Sequence, residues 1–462
     1  MHPPHSRRPG TRDTAARPRS TPTPIAPRSA AVIVALTFSF AFGALAAYAS
    51  TSSGGCKGKK PCSSSTTSTS STAGSTTTDP TTSTTDTQAQ TSTTSTDSTT
   101  TTSTASTATS TPSTTTTTSS GTGSATTAGG RHILAYYYLW WSYKHWHDKL
   151  GSNYPYTLSP LALPATVDSS GCNPVSLYSG DQLTDVPAAL WSQDDPGVIE
   201  NDVRTAAKAG LAGFIVNWAG AGTIDQTTTS ISYSRRLDAV FAAVHKVNAE
   251  GIPFKIWISY KVAASPLPSV DYIANDLAYL VRQYGNDPAY DHSYSNRPIL
   301  LWTGSRKYSA AAVKTISDLF RSAFFIVGDE TLTTWTDGRS AYLDGDSYYW
   351  SSQNPYTNPG SFTTLQKLAA TVRSSGANPD GSSKLWFAPL TPGYDSILLG
   401  GSTCVPRYGT QTLDRLFAGN SQSNPDGWTL ISWNEIAEGT YVLPLQRWET
   451  TYLAELKALA GS

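Results

Sequence analysis

The run His132-Ile133-Leu134-Ala135-Tyr136-Tyr137-Tyr138-Leu139, followed at once by Trp140-Trp141, decides how the rest of the chain is read. Its length and its load of apolar and aromatic side chains suit a buried strand. An open nucleotide-binding sheet would more often show a glycine-rich phosphate turn after its first strand, and none follows Leu139. Two large aromatic residues stand there instead. The same pattern, a short apolar run that finishes in aromatic or polar side chains, recurs at 213–218, 254–260, 298–302, 324–328, 341–346, 385–390 and 427–433.

Amphipathic helical stretches lie between these runs, at 198–209, 233–250, 270–284, 309–321, 362–374, 410–418 and 445–459; the gap after the fifth run is short and poorly helical. Alternating strands and helices of this number predict an α/β fold, a (β/α)8 TIM-type barrel over residues 131–462. In such a barrel every strand end meets at one face, where the chemistry sits. The side chains expected there include Trp140-Trp141, Asn217-Trp218, Ser259-Tyr260, Trp302, Asp329, Asp346 with Tyr348-Tyr349, Tyr394-Asp395 and Asn434-Glu435.

Upstream the chain changes character. The first 130 residues are nearly free of aromatics, whereas all 13 Trp fall between Trp140 and Trp448. Residues 1–50 carry a basic leader and an apolar stretch at 29–49 that ends in Ala47-Tyr48-Ala49. Both a cleaved secretory signal and a retained membrane anchor fit this pattern, and either implies a secreted or cell-surface protein. Residues 51–130 are mostly Ser and Thr, too poor in apolar groups to offset the entropy of ordering, and read as a disordered linker. As a coil it would reach on the order of 50 Å, and O-glycosylation would lengthen it.

With 33 basic and 33 acidic residues the chain is charge-balanced, which favours neither nucleic acid nor an anionic membrane surface as partner. A monomer is expected, touching a membrane only through its leader. Four cysteines suit an oxidising compartment. Cys172 and Cys404 fall in segments that the strand assignment puts at the same end of the barrel, and a disulfide between them is expected; Cys56 and Cys62 could close a small loop.

The densest constellation is Ser432-Trp433-Asn434-Glu435-Ile436-Ala437-Glu438-Gly439-Thr440. If the chain turns after the eighth strand, Glu435 and Glu438 can face one pocket. Cleaving a glycosidic bond uses two such carboxyls in different protonation states, and close like charge would itself push their pKa values apart. The plain alternative has Glu438 capping a turn and Glu435 paired with Arg407. Aromatic density favours sugar, because pyranose C–H faces stack on Trp and Tyr while hydroxyls need Asp, Asn, Arg and His. His145-Trp146-His147 is too thin a pattern for a metal site, no G-x-S-x-G elbow is present, and no cofactor is indicated.

Several separated stretches resemble glycoside hydrolase family 99, the endo-α-mannosidases, and related bacterial domains. They are Ala135-Tyr136-Tyr137-Tyr138 with Trp141 and His145-Trp146; Asp195-Pro196-Gly197-Val198-Ile199 leading to 209–218; Pro392-Gly393-Tyr394-Asp395; Arg407-Tyr408-Gly409; Asn424-Pro425-Asp426-Gly427-Trp428; and Ser432-Trp433-Asn434-Glu435 through Glu438-Gly439-Thr440. The resemblance spans about 131–459. It implies retaining hydrolysis of an α-linked, mannan-type glycan. It further implies Glu435 as base on the sugar's own 2-hydroxyl, Glu438 as acid/base at the glycosidic oxygen, and support from Tyr348 or Tyr349 and from Arg407. Tyr138, Trp141, His145, Asn217, Trp218, Tyr260, Asp346, Tyr394, Asp395 and Asn434 complete the expected substrate-binding set. The family places an aromatic residue and then Gly or His between the glutamates, whereas Ile436 and Ala437 stand here, which implies a smaller, more apolar subsite. Another α-glycan, such as an α-glucan, and a non-catalytic glycan-binding role on a stalk remain the alternatives.

Overall fold

The computed structural model describes residues 132–151, 172, 182–221, 229–261 and 267–461. The leader, the Ser/Thr-rich stretch and Cys56 and Cys62 lie outside them. Among the described residues no helix is long and apolar enough to cross a membrane.

Eight parallel strands close into a barrel: β1 (Ile133–Tyr138), β2 (Gly213–Trp218), β3 (Lys255–Lys261), β4 (Ile299–Thr303), β5 (Phe325–Gly328), β6 (Gly345–Asp346), β7 (Leu385–Leu390) and, after a two-stranded antiparallel ribbon of β8 (Tyr394–Asp395) and β9 (Cys404–Val405), β10 (Gly427–Leu430). Helices α1 (Tyr143–Leu150) and α2 (Pro196–Lys208) follow β1, and α3 (Thr229–Ala249), α4 (Val270–Tyr284) and α5 (Ala310–Phe320) follow the next three strands. The four-residue α6 (Leu332–Trp335) fills the short fifth gap, and α7 (Gly360–Ser374), α8 (Gln411–Ser421) and α9 (Thr451–Ala460) complete the ring.

Local chemistry starts the helices where the apolar period begins. Asp195 accepts from Gly197 N, with Pro196 at the first helical position of α2, while Ser142, Ser269 and Ser309 cap α1, α4 and α5. Three expected boundaries are corrected. The sixth run begins not as strand but as a 3-10 turn over Arg339–Ala341, entered through Gly338 at φ 107°. The eighth run leaves the sheet after Leu430, because Ser432 N–H turns to Thr440 O within its own loop. The last helix starts at Thr451 instead of 445, since residues 445–450 form a turn in which Glu449 takes φ 44°.

Strand alternation sorts the side chains. Leu134, Tyr136, Ile215, Trp257, Ile299, Leu301, Phe325, Val327, Phe387 and Ile431 fill the barrel interior, and their neighbours along each strand pack against the helices. Tyr137, for example, points outward and donates to Asp202 Oδ2 of α2 at 2.9 Å. At about 1.5–3 kcal/mol for each large apolar side chain buried, these two layers are the main source of stability. Gly345 admits no side chain, because a Cβ there would stand 2.5 Å from Leu385 O of the next strand.

The seam between first and last strands extends past the sheet. β1 pairs with β10 from Ile133↔Trp428 to Ala135↔Leu430, and Trp433 N–H then donates to Tyr136 O at 2.8 Å. Beyond that, Asn434 takes over as a surrogate strand: its Oδ1 accepts from Tyr138 N at 2.8 Å and its Nδ2 donates to Tyr138 O at 2.9 Å. Gln193 Nε2 reaches the same carbonyl at 2.9 Å while its Oε1 accepts from Trp141 N. Trp141 Nε1 donates to Asn434 O at 2.6 Å.

The expected disulfide is present: Cys172 and Cys404 are bonded, with Cα atoms 5.8 Å apart across 232 residues of sequence. Reducing it, or making Cys404→Ser, should lower the unfolding free energy by about 2–5 kcal/mol, measured by urea titration with and without reductant. Asn434→Ala leaves the Tyr138 N–H without its acceptor in a dry site, while the Tyr138 carbonyl keeps Gln193 Nε2. A loss of about 1–3 kcal/mol is expected by the same titration, and a change under about 0.5 kcal/mol would remove the clamp from the account of the seam.

Candidate active site

Glu435 and Glu438 sit on the loop that follows β10, at the C-terminal mouth of the barrel. Several backbone groups of that loop are tied down. Glu435 N–H donates to Ser432 Oγ at 2.8 Å, its carbonyl accepts from Thr440 N, and Gly439 N–H returns to Ile436 O. Gly439 turns the chain at φ 61°, which a side chain would resist. From the neighbouring ribbon, Asp395 N–H donates to Glu438 O at 2.7 Å.

Neither carboxyl forms an ion pair among the described residues, so the alternative pairing of Glu435 with Arg407 is not observed. Glu435 is 5% exposed, and Glu438 is half-buried. Burial raises the pKa of Glu435 and the charge of Glu438 raises it further, with Lys261, Lys149 and the Glu438 backbone amide offsetting part of the shift. Burial raises Glu438 as well, against the same two lysines. The pair therefore retains a proton that two solvated glutamates would have lost at neutral pH, and the more buried member favours holding it.

Tyrosines stand beside the pair. Tyr138 and Tyr349 join their hydroxyls at 2.7 Å, and the charges of Glu435 and Glu438 bear on Tyr138. Tyr349 is set edge-on to Tyr136 and is fixed at its backbone by Asp329, whose Oδ1 accepts from Tyr349 N at 3.0 Å. Tyr394, half-buried, feels Glu438 as well. Tyr348 is turned toward Trp350 and lies under the Arg306 guanidinium, so of the two tyrosines the resemblance offered, Tyr349 is the one beside the glutamates. Asn217 points inward from β2 with its Nδ2 buried and unpartnered. His145, stacked on Trp140 and edge-on to Trp141, is pushed down to about 4 by burial and Lys149, and its Nε2 is also without a partner. Among the described residues no group of His, Cys, Asp or Glu is arranged to hold a metal ion.

Six expected substrate contacts are corrected. Trp141 is fully buried and spends its Nε1 on Asn434 O, and Asn434 spends its whole amide on Tyr138. Trp218 and Tyr260 fall on outward strand positions: one stacks on Tyr279, the other donates to Asp276 of α4 at 2.8 Å. Asp346 also lies outside the barrel interior, accepting from Glu330 N at 2.9 Å, and burial beside Glu330 raises its pKa far above the carboxylate range. Asp395, by contrast, stays a candidate: its Oδ1 accepts from Ile397 N, while its Oδ2 is buried and unpartnered. Arg407 is buried under Tyr441, Tyr452 and Trp448 and donates to the carbonyls of Gly439 and Tyr441 at 2.8 and 2.7 Å. It holds the loop that bears Glu438 instead of meeting the sugar. Ile436 and Ala437 join the hydrophobic core.

The sequence assignment placed Trp140 at the mouth without singling it out from Trp141, and passed over three side chains that complete the region, Lys261, Lys149 and Gln193. Trp140, not Trp141, stacks on Tyr138 at 4.4 Å, and Lys261 Nζ stands 5.1 Å from its ring and 5.2 Å from that of Tyr138. Lys149 and Gln193 approach from α1 and the segment before α2. Inward parity along β3, two residues past Ser259, is the signal that would have found Lys261.

No family model and no curated protein matches the chain by sequence. A structure of the family GH99 endo-α-mannosidase from Bacteroides thetaiotaomicron matches with a TM-score of 0.52 at 17% identity, over 71% of this chain and 96% of that one. A structure of the enzyme in complex with bis-tris-propane matches with a TM-score of 0.53, also at 17% identity, over 72% and 97%. The barrel thus has the fold of the glycoside hydrolase family 99 endo-α-mannosidase structures, the fold that the order of the sequence motifs implied.

Proposed function

We propose that residues 131–462 form an extracytoplasmic glycoside hydrolase domain that cleaves α-linked, mannan-type glycans with retention, using Glu435 and Glu438. The observation that carries this reading is a pair of buried carboxyls at the barrel mouth, free of ion-pair partners and raised in pKa by burial. Such a pair can supply one proton donor and one acceptor near neutral pH, as glycosidic cleavage requires. The shared fold and the ordered motifs support the same reading. The Ser/Thr-rich stretch would serve as a spacer, and the domain would act as a monomer.

The motif order implies Glu438 as acid at the glycosidic oxygen and Glu435 as base toward the 2-hydroxyl. In the free protein, burial favours the proton on Glu435. Substrate binding must then shift the proton balance toward Glu438 before the bond breaks. Tyr138 and Tyr349, hydroxyl to hydroxyl at 2.7 Å, flank the charge as it shifts, and the Arg407 and Asp395 contacts keep the loop from yielding. The half-buried Tyr394 and the stacked Trp140 offer ring faces to the sugar.

Glu435→Gln and Glu438→Gln should each cut kcat by about a thousandfold or more while glycan binding persists, measured on α-mannan and α-glucan panels with product sizing. Binding without turnover in the unsubstituted protein would favour the glycan-binding alternative, and cleavage confined to α-glucan would move the substrate class. A second outcome concerns stability. The folded pKa of Glu435 lies above its ordinary 4.5, so its contribution is present below about 4.5 and is lost as pH rises toward the folded value. Glu435→Gln removes that loss. Its melting temperature should match the unsubstituted protein near pH 4 and exceed it by about 2–4 °C at pH 8; equal values at both pH values would mean that Glu435 is solvated.

A further inference from the structure

Three adjacent strands send a side chain into the mouth from their C-terminal ends. Tyr138 of β1 and Asn217 of β2 are register partners, and Lys261 follows two residues after Ser259, the partner of Asn217 on β3. Alternation makes all three inward-facing, in line with the neighbouring interior residues Tyr136, Ile215 and Trp257. Lys261 Nζ stands over the Tyr138 and Trp140 rings, and among the described residues it has no carboxylate at ion-pair distance and no hydrogen bond.

The donors around it are unspent as well. Trp140 Nε1 and Asn217 Nδ2 are buried and have no acceptor. An indole N–H, an amide NH2 and an ammonium can only donate, so, the Asn217 Oδ1 apart, this quarter of the mouth presents donors and one full positive charge that also offsets the glutamate pair. Leaving buried donors unmet is unfavourable, and clusters of them are expected to be met by a ligand. Lys149 adds a second cation whose charge reaches both glutamates, with its Nζ donating to Gln182 Oε1 at 2.8 Å. Sugar hydroxyls can accept from the indole and the amide, and an anionic group would in addition meet the ammonium charge.

The geometry points to an anion subsite: Lys261, Trp140 Nε1 and Asn217 Nδ2 receive an anionic group carried by the glycan, the carboxylate of a uronic acid residue or a phosphoester. This rests on the glycan-site reading above and adds the class of substrate to it. The group would sit beside the glutamate pair, on the β1–β3 side.

The test measures binding by calorimetry to the full chain carrying Glu435→Gln, a substitution that preserves the charge of a protonated glutamate and blocks turnover. Three oligomannosides of equal length are compared: unsubstituted, uronate-bearing and phosphate-bearing. One of the charged two should bind about tenfold or more tighter than the unsubstituted one, the size of one charge-assisted hydrogen bond, and which of them does so identifies the anion. Adding Lys261→Gln should abolish the preference, Lys261→Arg should keep it, and raising salt should weaken it. Equal binding of all three, or a preference indifferent to Lys261→Gln in a variant that keeps its melting temperature, overturns the anion subsite and leaves the hydrolase reading standing. Failure to bind any of the three overturns both.

Discussion

The barrel and its mouth depend on one exchange of hydrogen bonds, the amide of Asn434 against both backbone groups of Tyr138. A strand pair would have continued there if the chain after Leu430 had stayed extended. Instead the chain turns back on itself, and a side chain supplies what the backbone no longer offers. The substitution holds the loop to the first strand while letting it project two carboxyls over the opening. Gln193 and Trp141 brace the exchange from the other side, so the three side chains act as one fixture.

The placement of Glu435 and Glu438 opposes stability. Each is held where its charged form is poorly solvated, and the compensation comes from two lysines at a distance instead of a contacting ion pair. Direct pairing would lower both pKa values and leave no proton to lend. Arg407, the cation nearest the loop, is diverted to carbonyl oxygens and enclosed by three aromatic rings. It stiffens the backbone of the loop without forming an ion pair with either carboxylate. Rigid support without neutralisation is what the proposed proton-sharing role of the pair would require.

Much of the barrel could be read in advance because its strands are short apolar runs separated by capped helices, and both signals are local. Gly213–Trp218, Leu385–Leu390 and Val270–Tyr284 fall where periodicity puts them. Boundaries failed where a turn overrode the run: Ser432 bonding Thr440 ended the last strand, and a left-handed Gly338 displaced the sixth. In the site, the glutamate pair stood out as two carboxyls on one turn after a strand. Its surroundings did not, since Trp218, Tyr260 and Asp346 look as suitable as Asn217 until strand parity sends them outward.

The sequence by itself determined the alternation of strands and helices, the closure of eight strands, the residues from which a glutamate pair would come and the two cysteines able to bond. These follow from spacing, capping and polarity, which act over a few residues. Only the tertiary structure decided which aromatic of Trp140-Trp141 lines the mouth, that Arg407 and Asn434 serve the backbone, and that Lys261 faces the opening with, among the described residues, no carboxylate at ion-pair distance. Those outcomes depend on which groups meet across the barrel seam and on how far water is excluded where they meet, and neither is encoded at any one position of the chain.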